Sequence, residues 1–122
     1  MDEYQWRFRP VVVFAPSDED DRLSRQRRAY AASGEGLRER DIVLIEVVGN
    51  QVSTAFGPEC DQTAEALIAR YGVPADRFSS LLIGKDGGVK LRSDEPVAVD
   101  ELFGLIDAMP MRLREMGART ES

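Results

Sequence analysis

Three short strand-like runs, Val11-Val12-Val13-Phe14, Ile42 to Val48 and Phe78 to Ile83, constrain this chain more than any other feature. Each is too short for a typical helix: the first, apolar at consecutive positions, suits a strand covered on both faces, the second is rich in β-branched residues and reads as a second central strand, and the third is strand-like. The stretches after the first two runs carry helical spacing instead, and two neighbouring parallel strands need such a crossover between them. The chain therefore reads as an α/β fold, and its 122 residues are the length of one domain, expected to span residues 1–122.

Punctuation between the runs sharpens this outline. Pro16 ends the first run, and Ser17 or Asp18 is expected to cap a helix reaching about Ala32, with Glu19, Asp20 and Asp21 at the positive end of its dipole. Its apolar stripe is thin (Leu23, Tyr30, Ala31), and Gly34 and Gly36 are expected to stop it. Gly49-Asn50 is turn chemistry, and Gln51 to Glu59 reads as a short strand or an irregular loop. From a cap at Asp61, residues Ala64, Leu67, Ile68 and Tyr71 share one helical face until Gly72 and Pro74 end it. Lys85-Asp86-Gly87-Gly88 predicts a hairpin turn, because Asp-Gly tolerates positive φ, and Val89 to Arg92 returns antiparallel. A last helix from about Val99 packs through Leu102, Leu105, Ile106 and Met109; Pro110 is expected to kink or end it, with a frayed tail after Met116.

Composition removes several functions. A net charge of -6 is the wrong sign for a general nucleic-acid binder, so no nucleic-acid partner is expected. The chain has no histidine, which removes Ser-His-Asp and Cys-His catalysis and imidazole-dependent zinc sites. Its single cysteine, Cys60, cannot form an internal disulfide. No apolar stretch approaches the roughly 20 residues that span a bilayer, so no membrane span is expected. MDEYQWRFRP is not a signal peptide; the chain reads as cytoplasmic as it stands, and as periplasmic or secreted where a signal peptide has been removed.

The segment YGVPADRFSSLLIGKDGGVKLR, Tyr71 to Arg92, resembles the thioredoxin stretch in which a helix ends at Tyr-Gly, a strand follows and a Lys-X-Gly turn opens the final hairpin. With FAPS near the N-terminus and LIDAMPMR near the C-terminus, about residues 6 to 114 resemble a bacterial family of unknown function. That family's thioredoxin-like domain is similar to the one repeated in extracellular sushi-repeat and equarin-type proteins. The resemblance implies a three-layer thioredoxin-like sandwich with a mixed central sheet and a C-terminal hairpin plus helix. It also implies a redox ancestry. Where thioredoxins carry Cys-X-X-Cys this chain reads Ser17-Asp18-Glu19-Asp20-Asp21-Arg22, and Ser79 stands where they carry a cis-proline. Dithiol oxidoreductase activity is therefore not expected.

The residues then offer two main readings and several lesser ones. The first is a noncatalytic module holding a protein or peptide on the vestigial edge formed by Pro16, Ser17, Asp18, Phe78 and Ser79, with no cofactor and no metal. The second is a one-cysteine redox protein or sensor acting through Cys60, whose expected place just before a helix favours a thiolate while Glu59 and Asp61 oppose one. As to assembly, a monomer or a weak homodimer is expected, with a Cys60-linked dimer a further alternative. The acids at 18–21 suit helix capping better than Ca²⁺ or Mg²⁺, and a nucleophilic role for Ser17 has no base beside it. The arginines at 22, 25, 27 and 28, with Lys90 and Arg92, read as ordinary surface charge in preference to an anion site, and Trp6 and Phe8 as cover for a core edge.

Overall fold

The computed structural model describes residues 2–74 and 76–121, the side chains of residues 2 and 118–121 excepted. After a short 3-10 turn at Asp2–Tyr4 the order is β1 (Arg9–Ala15), α1 (Asp21–Ala31), α2 (Gly34–Glu39), β2 (Ile42–Val48), β3 (Gln51–Phe56) and α3 (Ala64–Tyr71). It continues with β4 (Ser79–Ile83), β5 (Val89–Ser93), α4 (Val99–Asp107) and α5 (Pro110–Glu121). The five strands form one mixed sheet in the order β3-β2-β1-β4-β5. β1 runs parallel to β2 and antiparallel to β4, and both edge strands are antiparallel to their neighbours.

The pleat sorts the apolar runs onto two faces. Val12, Phe14, Val43, Ile45, Val47, Leu81 and Ile83 meet Leu67 and Tyr71 of α3 and Tyr4. Val11, Val13, Ile42, Leu44 and Leu82 meet Leu23 and Tyr30 of α1, Leu37 of α2, and Leu102 and Ile106 of α4. Covered on both sides, β1 and β4 are buried along their whole length, which is why their sequences show no alternation.

Several boundaries depart from the sequence expectations. Asp20, not Ser17 or Asp18, caps α1, its Oδ1 accepting from the Arg22 N–H at 2.9 Å, while Asp18 is drawn instead to Arg27. Ala31 is exposed and Gln26 takes a buried place in the stripe, bonding both the N–H and the C=O of Val97. Gly34 and Gly36 do not simply stop the chain but lie within α2; a Cβ at Gly36 would sit 2.6 Å from the Phe103 ring, so glycine there permits close packing. Of the two readings left open for Gln51 to Glu59, the short strand is the one present, over Gln51–Phe56. Thr63, not Asp61, caps α3, because its side chain accepts from the Ala66 N–H.

The helix from Val99 does end ahead of Pro110, at Asp107, and Pro110 itself opens a further helix. At the first helical position its missing N–H costs nothing, and α5 runs on to Glu121 in place of the frayed tail expected after Met116. The predicted hairpin turn is present, with Gly87 at φ 88° and Asp86 Oδ1 accepting from the Gly88 N–H. Leu105, expected on the packing face of α4, is 37% exposed.

Candidate functional site

The residues expected to form a binding edge divide between surface and interior. Pro16, Ser17 and Asp18 are exposed where the chain leaves β1. Asp18 is already committed to Arg27 Nη2 at 2.9 Å. Phe78 is only 1% exposed and belongs to the α1–α4 face of the core, and Ser79 is buried in β4 opposite Phe14. The cavity at this end, beside Phe14, Gly49 and Pro74, is about 10 Å³, too small for a side chain.

Cys60 lies in the connection from β3 to α3, four residues before α3 begins, so the thiol is farther from the helix end than the sequence suggests. Its N–H donates to Thr54 Oγ1 and its side chain packs against the core beside Tyr4. Burial pushes the thiol up from its ordinary value; a backbone hydrogen bond from Gln62 works against this, and the charges of Glu3 and Asp61 add to it. At neutral pH the thiol stays protonated, which suits neither attack on a disulfide nor on a peroxide. Labelling of Cys60 in the native protein at pH 7 is expected to run slower than in the unfolded chain. Mass spectrometry after a pulse of alkylating reagent reads this directly, and faster native labelling would reverse the assignment.

The cations of α1 and the hairpin are largely engaged. Arg27 grips the buried carboxylate of Glu46 on β2 through Nε and Nη2 at 2.8–3.1 Å. Arg22 bonds Glu95, Arg25 pairs with Asp21, Lys90 pairs with Asp86, and Arg92 donates to the Tyr71 carbonyl.

A far larger groove lies at the opposite end of the sheet, with no local sign of it in the sequence. Trp6 is 62% exposed and held at φ 71°, a conformation that costs a non-glycine residue about 1–2 kcal/mol. Its N–H donates to the Lys85 carbonyl at 2.6 Å, and Gln5 Nε2 bonds the Asp86 carbonyl, so the segment before β1 is fastened across the β4–β5 turn. Phe8, by contrast, covers the core edge as expected, with its ring edge-on to Tyr4. Trp6 and the turn form one wall of a cavity of about 640 Å³; Leu105, Met109, Pro110 and Met111 at the α4–α5 junction form the other. No periodic element contains Trp6, so hydrophobic patterning could not reveal its exposure.

A charged lattice holds the walls in place. Glu115 of α5 accepts from Arg9 Nη2 at 3.0 Å and from Lys85 Nζ at 2.8 Å, and Lys85 also reaches Asp41 at 2.9 Å. Arg112 joins Asp107 and Glu39, and Arg40 joins Asp107 while lying 3.9 Å over the Phe103 ring. Burial works to raise the Glu115 and Asp107 carboxyls, but the hydrogen bonds from Arg9 and Lys85, and from Arg40 and Arg112, hold both below the usual carboxylate values. Among the described residues no helix is long and apolar enough to cross a membrane.

Fold and site together define a mixed α/β chain with an exposed tryptophan groove at one end of its sheet. The chain belongs to the family described as Domain of unknown function (DUF4174), whose model matches residues 1–115. It is 28% identical over 133 residues to Coiled-coil domain-containing protein 80 of Danio rerio, an alignment covering 95% of this chain and 15% of that protein. It is 25% identical over 120 residues to Sushi repeat-containing protein SRPX2 of Xenopus laevis, covering 95% of this chain and 26% of that protein. The chain thus spans about a quarter or less of the length of these relatives.

Proposed function

We propose that this chain is a noncatalytic binding module of thioredoxin-like fold, which holds a protein or peptide partner in the Trp6 groove. The fold assignment is supported by the strand order β2-β1-β4-β5, with one parallel pair followed by antiparallel ones and a helix following β1. The stretch where thioredoxins keep their dithiol carries no sulfur, and Cys60 is poorly placed to ionise. The two relatives carry the matching stretch as a small part of a long chain, the usual setting of a binding module.

The observation that carries the reading is Trp6 itself. A large aromatic side chain kept in water on a strained backbone, facing an apolar wall, is the composition of a binding hot spot. The groove serves this better than the edge at Pro16, Ser17 and Asp18, because Phe78 and Ser79 are interior and Asp18 is paired.

Trp6 is the only tryptophan in the chain, so its fluorescence reports occupancy of the groove. Peptides selected from a displayed library on the native protein are expected to shift its emission to the blue. Trp6→Gly is expected to weaken them about 30-fold, the loss of a hot-spot side chain. The same substitution should not lower the melting temperature, since glycine accepts φ 71° without strain. Binders indifferent to Trp6→Gly, or turnover of a disulfide or peroxide above the buffer rate, would overturn the proposal.

A further inference from the structure

The two edges of the sheet are guarded differently. β5 presents Lys90 and Arg92, cations of the kind that keep an edge from pairing with its own copy. β3 reads Gln51-Val52-Ser53-Thr54-Ala55-Phe56, with no charge and no proline. Its side chains alternate between exposed and half-buried, and among the described residues no backbone group of β3 bonds anything beyond β2. Such an edge is a template for another strand.

Charge decides which strand fits. When two identical edges pair antiparallel about a two-fold axis, the residue on the axis meets itself and residues equally far on either side of it meet each other, so like charges flanking the axis are brought together. A β5–β5 pair would bring Lys90 and Arg92 against one another; a β3–β3 pair brings no charges together at all. We infer that the chain forms a weak homodimer by antiparallel pairing of β3 with β3 of a second copy, extending the sheet from five strands to ten. The register follows from the two ends of the open stretch. A bulge at Ala55 disturbs the ladder, and the Cys60 N–H bonds Thr54 Oγ1 where the chain turns back towards α3. The axis therefore passes through Val52, placing Val52 against its own copy and Gln51 against Ser53 of the second copy. The thiol of Cys60 plays no part in this contact.

The test is a charge exchange at two exposed positions, read by sedimentation velocity over a concentration series. The native chain is expected to shift from monomer to dimer as concentration rises. The pair Q51K/S53K sets lysine against lysine twice and should weaken the dimer at least tenfold, as should Q51E/S53E. Mixed in equal amounts, the lysine and glutamate variants should associate with each other, because each opposed pair is then of opposite sign. Val89→Lys on β5 should leave the native dimer unchanged. A native chain that stays monomeric at every concentration overturns the inference. So do lysine variants that dimerise like the native chain, or a mixture that fails to associate while each variant keeps its native circular dichroism. Because both substituted residues lie on β3, loss of this dimer leaves peptide binding at Trp6 intact, and the two proposals fail separately.

Discussion

Phe78→Ala is expected to lower stability by about 4 kcal/mol, the cost of emptying a fully buried aromatic site that cannot collapse. Phe78 stands just before β4, at 1% exposure, in the same apolar cluster as Leu23 of α1, Leu102 and Ile106 of α4, and Val97. Truncation removes the ring's burial and leaves a void among helices held by many other contacts. For a chain of this length the loss corresponds to a melting temperature lower by roughly 10–15 °C, read by calorimetry. Peptide affinity of the fraction that remains folded should be unchanged, since the groove beside Trp6 is built from other residues. A small effect on stability with a large loss of binding would instead return Phe78 to the surface role that its neighbourhood with Ser79 first suggests.

Phe78 also marks the limit of what could be read from the chain itself. The strands β1 and β2 were legible from consecutive β-branched residues, and β4 and β5 from their place on either side of the Asp86-Gly87 turn, because these signals act locally. α3 was legible from the spacing of Ala64, Leu67 and Tyr71, all buried. What escaped was settled by tertiary partners. Asp18 and Asp20 are equivalent cap candidates until Arg27 claims one of them. Gly36 reads as a helix breaker until Phe103 occupies the space a Cβ would need. Pro110 has two helical roles, interior breaker or first residue, and only the path of α5 selects between them. The candidate site was less legible than the fold. Trp6 lies outside any periodic pattern, and the lattice behind its groove joins Arg9 to Glu115 across 106 residues of chain.

That lattice yields the other large effect. Glu115→Gln is expected to destabilise α5 by about 3 kcal/mol, because it leaves Arg9, 1% exposed, and Lys85, 9% exposed, with one carboxylate fewer in a buried setting. The figure lies at the low end for a broken buried pair, since Asp41 still faces Lys85 and the Arg40 carbonyl still accepts from Arg9. Amide exchange along α5 should rise by a factor of roughly 100. The pH dependence then separates charge from shape. Glu115 and Asp107 are both held below their ordinary values in the folded chain, so the unfolded chain binds protons first as pH falls. Their contribution is full above the ordinary carboxylate range, around pH 4, and drains away as the pH drops through the lower folded values. A protonated Glu115 is nearly isosteric with glutamine, so the native and Glu115→Gln proteins should differ most at neutral pH and converge in acid. Parallel stability curves from pH 7 to pH 3 would mean that Glu115 acts through packing alone and that the lattice does not fasten α5 by charge.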